Sequence, residues 1–187
     1  MIKFLVVVFL GLAAAGIVIY NRLVRSRNRV DTAWSDIDVQ LQRRHDLIPN
    51  LVRAVDQYAR YERATLEAVT ELRAEAMRRG GDVEARGQAE EQLSEGLMRL
   101  LAVAENYPDL KANENFLELQ RDLVETENYL QFARRYYNGS VRDYNTMIET
   151  VPNNIVAGLF DFTTRPFFQK SADEVAAVPL VEFGSVE

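Results

Sequence analysis

Apolar residues fill the start of the chain almost without interruption. Phe4 to Tyr20 reads FLVVVFLGLAAAGIVIY, 17 residues with neither a charge nor a proline. At about 1.5 Å per helical residue this run covers roughly 26 Å, at the short end of what a bilayer core demands. Tyr20 suits the interface, and Arg22 is placed to snorkel towards the headgroups. A cleaved signal peptide has an apolar stretch of only ~7–15 residues. Here apolar residues continue past the small cluster Ala13-Ala14-Ala15-Gly16, so residues 1–21 are read as an uncleaved transmembrane anchor.

Beyond the anchor the pattern changes to single apolar or small residues at Val30, Trp34, Ile37, Leu41, Ile48, Val52, Val55, Ala59, Leu66, Val69 and Ala76. Steps of three, four and seven place them on one face of a helix, the spacing of bundle or coiled-coil packing. Pro49 removes one backbone hydrogen bond and crowds the carbonyl four residues back, which predicts a kink near His45 and Asp46. Because the phase carries through, one kinked helix is expected from 22 to 79, closed by Gly80-Gly81, with Asp82 capping the next. A second helix to about Asn106 carries Ala89, Leu93, Leu97, Leu100 and Ala104, and stops at Tyr107-Pro108. A third, from about Asn113, carries Phe116, Leu119, Leu123, Thr126, Leu130, Ala133, Tyr137, Val141, Tyr144 and Ile148. Tyr136, Tyr137 and Tyr144 read as half-buried packing residues. Tyr137-Asn138 and Tyr144-Asn145, seven apart, put two asparagines on one face, able to hydrogen-bond to another helix or subunit.

Phe160, Phe162, Phe167 and Phe168 then crowd into nine residues, too apolar a stretch to face water. They must cover a bundle end, a neighbouring subunit or lipid. The tail, 171–187, is small, acidic and proline-punctuated, and is expected to be loosely ordered. The fold expected is therefore all-α: a transmembrane helix, an antiparallel bundle of long helices over 22–170 and a short aromatic C-terminal segment. A straight helix over 22–79 would reach about 85 Å, against about 55 Å for 113–149. Its excess would need to pack on a neighbouring copy.

Charge sharpens the division of the chain. The net charge is −6, but residues 1–30 hold Lys3, Arg22, Arg25, Arg27 and Arg29 and no acid, which leaves 17 basic against 28 acidic residues, −11, for the rest. So acidic a body argues against nucleic acid as a partner. The chain has no cysteine, hence no disulfide, thiolate nucleophile or sulfur-ligated metal. By the positive-inside rule, four arginines just after the span favour a cytoplasmic bundle.

Candidate chemistry is sparse. His45 is the sole imidazole, and Gln42 stands where a Glu-x-x-His metal pair would need its glutamate. Phosphate-loop, dinucleotide, nucleophile-elbow and HExxH motifs are absent. No catalytic residue, cofactor or metal is assigned, and the chain is read as a non-enzyme. The richest stretch is Ala33–Val52, where Trp34, Asp36, Asp38, Arg43, Arg44, His45, Asp46, Pro49 and Asn50 gather around the stripe. Two readings stand side by side. In one, pairs such as Asp36 with Arg43, or Arg43 with Asp46, decorate a solvated face at ~0.2–0.5 kcal/mol each. In the other, the arginines bridge to carboxylates of another helix or subunit around the kink.

Tyr20-Asn21, Leu23-Val24, Arg27-Asn28, Val30, the stretch Ala33–Val52, the run Glu105 to Ala112 with Tyr107-Pro108, the two Tyr-Asn pairs and Phe167-Phe168 occur in an order and spacing that resembles the LemA family. The resemblance covers roughly residues 20–170. It implies an N-terminal anchor and a helical bundle in a bacterial envelope protein without established enzymatic activity. A magnetosome-membrane member of the family points towards membrane organisation. Lipoprotein-like members carry a cysteine just before the Tyr-Asn motif. Here Ile17-Val18-Ile19 takes that place, which excludes lipidation. By analogy with those members the periplasmic side gains weight, so the side of the cytoplasmic membrane stays open. Expected partners are membrane lipid through the first helix, further copies of the chain in a homo-oligomer, and an envelope protein. The expected role is a self-associating scaffold, with two alternatives: an adaptor for a membrane protease or envelope-stress partner, and, with least weight, an enzyme that uses carboxylates and His45.

Overall fold

The structure is a computed structural model that describes residues 1–79 and 82–168. The described residues form six helices: α1 (Ile2–Asp56), α2 (Arg63–Arg78), α3 (Val83–Ala104), α4 (Pro108–Lys111), α5 (Glu114–Glu149) and α6 (Asn153–Leu159). The Gly80-Gly81 pair and the tail 171–187 lie outside them.

α1 is a single unbroken helix. Its first 18 residues stand clear of the bundle, are strongly apolar and are long enough to cross a membrane. From Ile19 and Leu23 onward the same helix becomes a bundle element whose buried face carries Leu23, Val30, Ala33, Ile37, Leu41, Ile48, Leu51 and Val55. α2 folds back beside it, α3 returns parallel to α1, and α5 runs antiparallel to α1 along most of the bundle. Cross-contacts fix these directions: Arg73 with His45, Arg86 with Asp38, and Arg44 with Glu127. α2 and α3 approach closely at Gly96, where an added Cβ would stand 2.8 Å from Cδ1 of Leu72.

The cap predicted at Asp82 forms, and α5 opens with a second one. Asp82 accepts hydrogen bonds from the Glu84 and Ala85 amides, and Asn113 accepts one from the Phe116 amide.

The single helix expected over 22–79 is corrected. It ends at Asp56, and α2 begins at Arg63 after a turn that contains neither glycine nor proline. Tertiary contacts hold this turn: Asn113 donates to the Tyr58 hydroxyl (3.1 Å) and the Tyr107 hydroxyl donates to Glu62 (3.4 Å). The apolar phase ran through the turn because Val55 before it, Ala59 within it and Leu66 after it all enter one core. The consequence for assembly is direct. Val30, Ile37, Leu41, Ile48, Val55, Ala59, Leu66, Val69 and Ala76 are all buried by the chain itself, so no overhanging rod is left to require a second copy.

Pro49 stays inside α1 rather than dividing it. Its missing N–H leaves the His45 carbonyl without its helical donor. Nε of Arg73, on α2, donates to that oxygen at 2.7 Å. Arg73→Ala should therefore cost about 1–3 kcal/mol, the desolvation of an abandoned carbonyl. In a Pro49→Ala background, where the residue-49 amide can donate again, the same substitution should cost much less. Thermal and denaturant unfolding followed by circular dichroism would measure this coupling; equal costs in the two backgrounds would reject the assignment.

Candidate functional site

The Leu41-to-Ile48 interval of the stripe contains no apolar residue in phase, and there the core turns ionic. Arg44 and Glu90 are both 0% exposed and form an ion pair through Nη2 of Arg44. Nη1 of Arg44 donates to Oγ of Ser94 (2.8 Å) and to a carboxylate oxygen of Glu127 (2.9 Å). The Ser94 hydroxyl in turn donates to the backbone carbonyl of Glu90 (3.0 Å). Nε2 of His45 lies 2.9 Å from the other oxygen of Glu90. One guanidinium thus joins α1 to α3 and α5, while Arg73 of α2 binds the next residue's carbonyl.

Burial pushes the Glu90 carboxyl upward. Its contact with His45 and the charge of Arg44 more than offset this and hold it below the usual carboxylate range. Stability that depends on the charged carboxylate is therefore present above the pKa of an unfolded glutamate and is lost as pH falls through the lower folded value.

The other sequence candidates fall into distinct places. Arg43 pairs across to Glu125 on α5 (3.4 Å) at a half-exposed site, and not with Asp36 or Asp46. Asp36 is exposed; Asp46 accepts from Gln42 (2.9 Å); Asn50 accepts from Arg53 (2.5 Å). Asp38 pairs with Arg86 of α3, whose guanidinium also lies 5.4 Å from the Trp34 ring centroid. Tyr107 buttresses the α1–α2 turn, and Pro108 opens α4 at its first position.

Trp34, Tyr137, Asn138, Tyr144, Asn145 and Phe168 converge on a second cluster. The strap 165–168 lies along α1 and α5. Asn145 donates to the Arg165 carbonyl and accepts from its amide, both at 2.9 Å. Asn138 makes the same two-way pairing with Phe168, at 3.2 and 2.9 Å. The fit is geometric. Asparagines seven residues apart on a helix are separated by about 10.5 Å, and three residues of extended chain span about 10 Å. The asparagines thus bind a segment of their own chain rather than a neighbouring helix or subunit. The Tyr137 hydroxyl donates to the Pro166 carbonyl (2.9 Å), and Trp34 packs on Tyr137 and Phe168 with ring centroids 5.3 and 5.5 Å away. Burial raises the pKa of both Tyr137 and Tyr144. Phe168 is fully buried and Phe167 is partly exposed, whereas Tyr136 points outward rather than into the stripe.

Sequence reasoning missed Glu90, Ser94 and Glu127. A signal existed. Glu90 stands three residues before Leu93 and seven before Leu97, and Glu127 four after Leu123 and three before Leu130, so both acids occupy slots of an apolar stripe.

A family model described as the LemA family matches residues 33–183. The chain belongs to the LemA family. Two magnetosome proteins of Paramagnetospirillum magneticum, MamQ 1 and MamQ 2, are each 26% identical to it over 179 residues, covering 81% of this chain and 65% of their own length. The LemA protein of Metamycoplasma hominis is 27% identical over 154 residues, covering 82% of this chain and 70% of that protein. The chain thus spans slightly less than two thirds of the MamQ proteins. Membership and the exposed apolar helix together make this LemA-family chain a membrane-associated helical protein.

Its ionic layer is open to a stability test. Arg44→Met strands a buried carboxylate and should cost about 3–5 kcal/mol, whereas Arg44→Met with Glu90→Leu should recover most of that loss. Glu90→Gln should flatten the decline in stability between neutral and acid pH. Unfolding curves across that range would measure each effect, and an unchanged acid limb in Glu90→Gln would reject the role given to this carboxylate.

Proposed function

We propose that this LemA-family chain is a membrane-anchored scaffold of the bacterial envelope that gathers copies of itself through the outer face of α5. The observation that carries the reading is an exposed aromatic row, Tyr129, Phe132 and Tyr136, at 50%, 63% and 54% exposure on a helix whose opposite face is core. Three large rings at three- and four-residue spacing form a contact strip of the kind that marks protein interfaces.

Anchorage supplies the geometry. Copies held in one membrane with one orientation are related by an axis along the membrane normal, so each presents this row at the same height and like meets like in register. The α1 stripe and Arg44 are core, so they take no part in such a contact. Relatives named as magnetosome proteins support a role in ordering a membrane compartment. The bundle's acidic charge favours the second reading, an adaptor whose α5 face docks a different envelope protein, because like-charged copies repel at low salt.

Because the chain has no cysteine of its own, Phe132→Cys provides a single probe in otherwise unaltered protein. Under mild oxidation in native membranes it should form a disulfide homodimer, while Arg99→Cys, exposed on α3, should not. Heterologous adducts alone would move the conclusion to the adaptor. A protein that remains monomeric and unlinked at Phe132 would remove both.

A further inference from the structure

At the base of the bundle, α6 packs Val156 and Ala157 against the core that contains Leu23 and leaves its opposite side bare. Val151, just before the helix, and Ile155 and Leu159, four residues apart on it, are exposed. Together with Phe160 they are 78%, 62%, 74% and 58% exposed. Thr150 to Phe160 contains no charged residue. This apolar face sits at a defined level of α1: the Phe160 ring centroid is 4.8 Å from that of Tyr20, the last residue of the apolar run, and Phe162 packs on the same ring at 5.7 Å. Arg27, two turns further along, stands over Phe162 at 5.3 Å. The chain then turns back up the bundle through Asp161, which adopts a positive φ of 54°, and enters the strap at Arg165.

We propose that α6, with Val151 and Phe160, lies in the interface of the bilayer that α1 crosses and forms a second membrane contact of the bundle. This rests on the anchor assigned to α1. The occupant is lipid because the bare face continues the exposed apolar surface of the span at the height where that surface ends. Tyr20 supplies an interfacial ring and Arg22 and Arg25 the adjoining cations, the composition that marks a headgroup boundary. Two attachments side by side restrict tilt of the bundle about the membrane end of α1. The α1–α2 turn is thereby held about 54 Å from Tyr20 along the helix.

The test uses the full chain with single cysteines at Leu12, Ile155, Leu159 and Tyr61, each labelled with bimane. The variants are reconstituted into vesicles of phosphatidylcholine and phosphatidylglycerol that contain acyl-chain nitroxide lipid. Tyr61, 97% exposed in the distal turn, is the aqueous reference. Labels at Ile155 and Leu159 should lose roughly half or more of their emission, as groups seated about 5–10 Å into the headgroup boundary, and the Tyr61 label should not. Quenching at Leu12 with Ile155 and Leu159 matching Tyr61 overturns the second contact and leaves the anchor standing. Absence of quenching at Leu12 overturns the anchor and this inference with it. Labels at Ile155 and Leu159 that shift to the blue with protein density, without lipid quenching, assign the face to another copy and also overturn it. Both α6 sites point away from the core, so helical content should match the parent chain, and each position checks the other.

Discussion

The bundle depends on one layer, at Arg44 and His45, where four helices are tied by polar groups rather than by apolar packing. Arg44 arrives in the core because it stands where the α1 stripe requires a residue, and its two terminal guanidinium nitrogens find partners there while Nε is left without one. α3 supplies Glu90 and Ser94 and α5 supplies Glu127. Such a layer adds little net stability over a well-packed apolar one. Its effect is on specificity: sliding α3 or α5 by one turn would leave a buried charge unmatched, whereas leucine-on-leucine layers tolerate slippage. Pro49 adds a second requirement at the same height, a freed carbonyl that only a donor from α2 meets.

Below that layer the constraint changes in kind. The strap is held by backbone pairing to two asparagine side chains, and its register follows from the match between the rise of α5 and the extended length of the strap. Seated there, it pulls the chain after α6 up against Trp34 and Tyr137. α6 is thereby left at the membrane end with its apolar face turned away from the core. The aromatic crowding in the sequence is therefore divided: Phe168 closes the bundle, Phe160 and Phe162 pack on Tyr20, and Phe160 and Phe167 keep exposed faces.

Much of this architecture was legible in the pattern of apolar positions. The long apolar N-terminal helix, the cap at Asp82 and the α3 and α5 stripes follow from local rules of spacing and side-chain chemistry. The α1–α2 turn does not, because no residue from 57 to 62 breaks a helix and its closure depends on Tyr58 and Tyr107 meeting partners distant in sequence. The ionic layer was half legible. Arg43 and Arg44 stood out as arginines able to bridge helices, but adjacent residues on a helix point about 100° apart, so one paired at the surface and the other in the core. Their acids went unnoticed because an acidic residue is ordinarily assigned to the solvent face. The gap of seven from Leu41 to Ile48 contains the ionic layer and that from Ala59 to Leu66 overlaps the turn, whereas the gap from Val69 to Ala76 lies within unbroken α2.

These constraints bear on how such a protein acts. With the stripe from Val30 to Ala76 covered by its own chain, the interior offers no face to a partner. Recognition is left to surfaces that the fold does not use, and α1 passes from the span into the bundle without a flexible joint, so those surfaces inherit the orientation of the anchor. A domain mounted in this way samples a narrow range of heights and angles, which raises the effective concentration of any partner confined to the same membrane without adding a single contact. That physical gain requires no reacting group, and it follows from joining a rigid helical body to its apolar span through one continuous helix rather than through a linker.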